Sequence, residues 1–64
     1  MNRDDKLASA AFKLGEHVDK VGGDYTFAGT VVAVFLKLGG AIRYVVEDDR
    51  GVLHVYSEKN LELI

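Results

Sequence analysis

The stretch Tyr25-Thr26-Phe27-Ala28-Gly29-Thr30-Val31-Val32-Ala33-Val34-Phe35-Leu36-Lys37 decides the fold. It is rich in Val, Thr and Phe and reads as one long strand. A strand with one face in water alternates apolar and polar residues. Here Val31 to Leu36 is apolar at both parities. One face fills a core; the other needs cover, because a monomer seldom leaves a large apolar patch wet. The expected cover is further copies of the same chain. The alternative is the N-terminal segment folded over that face. Gly29, inside the run, is a candidate bulge or barrel corner.

Turn signals and shorter β-rich runs flank this strand on both sides. His17 to Val21 precedes it, across Gly22-Gly23-Asp24. Gly39-Gly40 follows it and leads into Ala41 to Glu47. Asp48-Asp49-Arg50-Gly51 leads into Val52 to Tyr56, and a corner at Ser57 to Asn60, read as one 3₁₀ turn, leads into Leu61 to Ile64. Short antiparallel strands joined by tight turns predict an all-β fold, a small five-stranded barrel of the SH3-like kind, over residues 15–64. Residues 1–14 stand apart. Leu7, Ala11 and Leu14 fall at helical spacing and Asp4-Asp5 suits a helix start. A short helix or a frayed tail is expected there, ending at Gly15.

At 64 residues the chain is one small domain. A chain this short buries only roughly 60% of the surface its unfolded form exposes. Cysteine is absent, so neither disulfides nor thiolate metal sites reinforce it, and His17 and His54 show no ligand spacing. Oligomerisation is the reinforcement left. The net charge of −2 argues against a general nucleic-acid binder. The longest apolar run, Val31 to Leu36, is too short to span a membrane, and Met1 to Asp5 leads into no signal region. The expectation is a soluble cytoplasmic protein.

Four segments carry a family resemblance. Gly15-Glu16-His17-Val18-Asp19-Lys20 resembles the Gly-Asp-x-Val-x-Lys opening of the type II dihydrofolate reductases, small trimethoprim-insensitive enzymes with an SH3-like barrel. Tyr44-Val45-Val46-Glu47-Asp48 is similar to the family's Tyr-Ala-Val-Glu-Ser. Leu53-His54-Val55-Tyr56 stands where the family has Val-Gln-Ile-Tyr, and Asn60-Leu61-Glu62 where it has Ala-Leu-Glu. The resemblance runs from about Phe12 to Ile64. It implies a homotetramer around one shared pore in which NADPH reduces dihydrofolate. It further implies Lys20 as the cation at the pore mouth, Leu53, His54, Val55 and Tyr56 as the pore wall binding the cofactor, and His54 and Tyr56 as the catalytic pair. No metal is implied. The chain departs from the pattern in three places. His54 replaces the family's glutamine, Phe27 and Val34 replace tryptophans, and the turn at Asp48 to Gly51 is shorter and lacks the family's interface histidine.

The same residues have plainer readings. Lys20 also fits an ordinary solvated strand lysine. His54 offers a neutral imidazole that donates and accepts toward a ligand amide, or is a surface histidine. Alternation puts His54 and Tyr56 on one face of their strand and Leu53 and Val55 on the other, and a pair pointing outward would face a pore. Tyr56 lends a ring and hydroxyl to a cofactor, or packs. His17 reads as a surface residue, Asp48-Asp49 as a solvated turn, and Phe27, Phe35 and Tyr44 as core or interface. Hydride transfer needs stacked rings and excluded water rather than a nucleophile, so no carboxylate is assigned a catalytic role. The alternative function is a non-catalytic SH3-like binding module, its exposed Tyr and Phe forming a groove for a peptide or protein partner.

Overall fold

The computed structural model describes residues 3–64, with side chains from Lys6 onward. Met1 and Asn2 of the expected N-terminal segment lie outside the described residues. Helix α1 (Arg3–Ala8) precedes strands β1 (His17–Lys20), β2 (Phe27–Leu36), β3 (Ile42–Glu47) and β4 (Leu53–Tyr56). A 3₁₀ turn (Glu58–Asn60) then leads into β5 (Leu61–Leu63). The class is all-β. Each expected strand is present, trimmed at its ends. Neighbours pair antiparallel in the order β4-β3-β2-β1-β5. The sheet does not close into the expected barrel: no ladder joins β4 to β5, which remain its two edges. No helix among the described residues is long and apolar enough to cross a membrane.

The long strand β2 serves both halves of the sheet. Its first half pairs with β1, from Lys20↔Phe27 to His17↔Thr30, and its second half with β3, from Val31↔Val46 to Leu36↔Ile42. Between Val31 and Ala33 the β3 register slips, leaving Val32 as an extra residue. A bulge of this kind bends a strand and changes which parity faces inward. Phe27 and Val31 therefore face the core before it, Val34 and Leu36 after it. This accounts for much of the two-faced apolar run, since both parities are buried in turn.

Gly29 was expected to mark that irregularity and does not. It marks a close approach instead: a Cβ there would lie 2.5 Å from Val46 Cγ1 and 2.7 Å from the Glu47 carbonyl oxygen.

Phe12, Val18, Val31, Tyr44, Val46 and Leu61 form the buried core. The N-terminal segment joins it by tertiary contact rather than by helix. Helix α1 stops at Ala8, where Ser9 Oγ donates to the Lys6 carbonyl at 2.7 Å. Such side-chain bonds compete with helix propagation. Beyond it, the Phe12 ring meets Tyr44 edge-on at 5.2 Å, and the Ala11 N–H donates to the Tyr44 hydroxyl at 2.9 Å. Leu14, expected on the helix's apolar stripe, is 66% exposed. Phe12 thus belongs to the same packing unit as residues 15–64.

Candidate functional site

Strand β4 separates its residues as alternation requires. His54 and Tyr56 turn toward the core side of the sheet, where Tyr56 packs on the core and the His54 ring lies 4.5 Å from Phe27. Leu53 and Val55 point outward, 60% and 55% exposed. The expected site residues are therefore divided: Lys20, His54 and Tyr56 gather on one side, Leu53 and Val55 on the other.

The gathered side is a cluster of rings around Phe27, an aromatic ledge. Tyr25, in the β1–β2 loop, stacks on Phe27 at 6.2 Å and 11°. Phe27 meets His54 and, at 6.1 Å, Tyr56; His54 and Tyr56 stack at 8°. The Tyr25 and Tyr56 hydroxyls share a hydrogen bond of 2.9 Å. Burial, then the bond to Tyr25 and the proximity of its hydroxyl, push the Tyr56 phenol up to about 12. It stays protonated at neutral pH and serves as a hydrogen-bonding group. Tyr25 is 56% exposed and forms the solvent side of the ledge.

Lys20 corrects the expectation of a solvated cation at a pore mouth. It is only 5% exposed. Its Nζ donates to the carbonyls of Gly22 at 2.6 Å and Tyr25 at 2.9 Å, and stands 4.0 Å from the Tyr25 ring centre. Among the described residues no carboxylate pairs with it.

His54 is engaged as well. Its Nε2 lies 2.9 Å from Asp48 Oδ2. The Asp48 carboxylate also accepts the backbone N–H groups of Arg50 at 2.9 Å and Val52 at 3.0 Å. These contacts, the His54 bond first, hold the Asp48 carboxyl well below the usual carboxylate range. Asp48, expected as a solvated turn residue, thus organises the β3–β4 turn. His17 is exposed, as expected, with Nδ1 3.3 Å from Thr30 Oγ1.

Two participants were given no place in the site by the sequence. Tyr25 shares parity with Phe27, a weak signal that both rings lie on one side. Asp48 opens a turn closed by Gly51, the position where an Asx side chain folds back on later amides.

Two shallow depressions are lined by none of the four rings. One is lined by His17, Thr30, Glu47 and Asp48, the other by Lys6, Arg43, Ser57 and Lys59. Neither contains an expected site residue. A single chain also fits NADPH poorly: Lys20, the expected pore-mouth cation, is engaged with two carbonyls, and the expected wall residues Leu53 and Val55 face away from the rings. What one chain presents is a group of packed rings, three of them half-buried and Tyr25 exposed. The chain matches no protein-family model and no curated protein.

Proposed function

We propose that this protein is a small non-catalytic β module that holds an extended segment of a partner protein across the ledge formed by Tyr25, Phe27, His54 and Tyr56. One observation carries the reading. Rings from the β1–β2 loop, β2 and β4 form a single cluster around Phe27 whose most exposed member, Tyr25, is tied to Tyr56. Aromatic clusters suit proline-rich segments, whose polyproline helix is already extended and loses little entropy on docking. The polar groups that chemistry would need, the His54 imidazole and the Lys20 ammonium, are engaged within the chain. The test is a titration of the isotope-labelled protein with a proline-rich decapeptide, followed by NMR. Shifts confined to Tyr25, Phe27, His54 and Tyr56, and lost in Tyr25→Ala, support the reading. No shift at millimolar peptide refutes it.

A second reading, the NADPH-dependent reduction of dihydrofolate implied by the resemblance, is favoured by one feature. Leu53 and Val55 are exposed on an edge strand beside His54 and Tyr56, where other copies of the chain would complete a wall. Dihydrofolate-dependent oxidation of NADPH that persists with trimethoprim and disappears in His54→Ala would replace the binding module with the reductase.

A further inference from the structure

The strongest feature outside the ledge's own rings is the Lys20 ammonium beneath it. Lysine is almost never fully buried unless paired, because removing an ammonium from water is costly. Here the side chain is buried without a carboxylate partner among the described residues. The surrounding loop is shaped to replace water. Gly22 and Gly23 both adopt positive φ, 82° and 73°, which only glycine does readily. That conformation accompanies a Gly22 carbonyl 2.6 Å from Nζ. A Cβ on Gly23 would lie 3.2 Å from the same nitrogen, so the missing side chain leaves the cation its space. The Tyr25 carbonyl supplies the second acceptor and the Tyr25 ring the π face, 4.0 Å away.

We propose that Lys20 is the positioning residue of the ledge: its ammonium folds the β1–β2 loop onto itself and so holds the Tyr25 ring against Phe27 and Tyr56. The inference rests on the binding-module reading for its consequence, a change in peptide affinity, but not for its geometry. Lys20 touches no partner. It acts through Tyr25, whose backbone it fixes by the carbonyl and whose ring it attracts by charge. Without the cation, two carbonyls that face Nζ lose their donor, and the loop is free to turn them to water. The Tyr25 ring then leaves Phe27 and releases the Tyr56 hydroxyl. Val18, on the same strand, stays buried in the core, so the sheet is expected to persist.

The chain has no cysteine, which makes a clean chemical test possible. Lys20→Cys is alkylated with bromoethylamine in denaturant and refolded, restoring an ammonium at nearly the original reach. Lys20→Met and the unmodified Lys20→Cys are expected to keep the Val18 and Val46 methyl signals and to lose the nuclear Overhauser contacts of Tyr25 with Phe27 and Tyr56. They are expected to bind the decapeptide at least tenfold more weakly. Aminoethylation is expected to recover both the contacts and the affinity, which a role in overall stability alone would not predict for a folded variant. Tyr25 contacts that persist in Lys20→Met overturn the proposal. If the unaltered protein binds no peptide, the binding-module reading falls, while the Tyr25 contacts still decide the role of Lys20. If the variants do not fold, the Lys20 ε-methylene protons of the unaltered protein decide it. An upfield ring-current shift supports the cage, and an ordinary value overturns it.

Discussion

The His54 imidazole and the Asp48 carboxylate are partners at 2.9 Å, six residues apart across the β3–β4 turn. The relationship gives the fold an acid limit. Asp48 is held well below the usual carboxylate range, by His54 first and by the Val52 and Arg50 amides after it. Its folded pKa is lower than its unfolded one, near 3.9 for a free aspartate. The stabilisation is therefore present above that value and is lost as pH falls toward the depressed folded value. Thermal unfolding followed by circular dichroism should show a falling midpoint from about pH 4 downward. Asp48→Asn should be less stable at neutral pH and flatter over the acid range. Parallel curves for parent and variant would show that another group sets the limit.

Gly29→Ala should be disproportionately damaging for the addition of one methyl. The new carbon would meet Val46 Cγ1 and the Glu47 carbonyl within 2.7 Å, and the latter is backbone that moves only with the β2–β3 pairing. Overpacking of this kind costs about 1–3 kcal/mol. Urea denaturation should show a lower midpoint with an unchanged slope. A cost near zero would mean that the two strands separate there without penalty.

Phe12→Ala tests whether the N-terminal segment is part of the fold or an appendage. Phe12 is buried against Tyr44, and truncating a buried Phe costs about 3–5 kcal/mol. A domain of this length has a total stability of roughly 3–10 kcal/mol. The variant should lose about a third or more of that stability and unfold outright if the total lies at the lower end, whereas Tyr44→Phe, which removes the acceptor of the Ala11 N–H, should lose only about 0.5–1.5 kcal/mol. A fully stable Phe12→Ala protein would make residues 9–14 an appendage.

The strands and turns were legible because local chemistry specifies them. Val and Thr runs between glycine-rich turns have few other ways to fold, and the expected strands are found at those places. The bulge at Val32 was not legible, because nothing in Val31-Val32-Ala33 marks which residue slips; the register emerges only when β3 pairs. The short N-terminal helix is present over Arg3–Ala8, but its end was not legible and falls well before Gly15. Helical spacing from Leu7 to Leu14 is a local signal, and the long-range contact of Phe12 with Tyr44 overrides it. Among the site residues, alternation correctly put His54 and Tyr56 on one face. It could not say which face turns inward, and Lys20 looked solvated because its partners are backbone carbonyls, invisible to any reading of side-chain types.

The outward face of β4 leads to the last prediction. Val55 pairs with Val45, and Val45 with Ala33, so an apolar row crosses three strands on the side opposite the ledge. Exposed Leu53, Val32 and Phe35 lie on the same strands and widen the apolar surface. The bulge buries part of the β2 run but leaves this row without cover in a single chain. Self-association is the expected remedy, with four chains of 7.0 kDa the expected unit. Sedimentation velocity at micromolar concentration should give the larger species for the parent, and Val55→Lys should sediment as one chain with its circular dichroism unchanged, because a buried lysine at the contact carries an unpaired charge. The ledge lies on the other face of the strand, so peptide binding should survive this substitution. If dihydrofolate-dependent oxidation of NADPH is found and vanishes with assembly in Val55→Lys, the shared-pore reading gains what the single chain does not supply. If the parent is a monomer at every concentration, no wall can be completed by other copies, and the ledge of one chain is left to account for function alone.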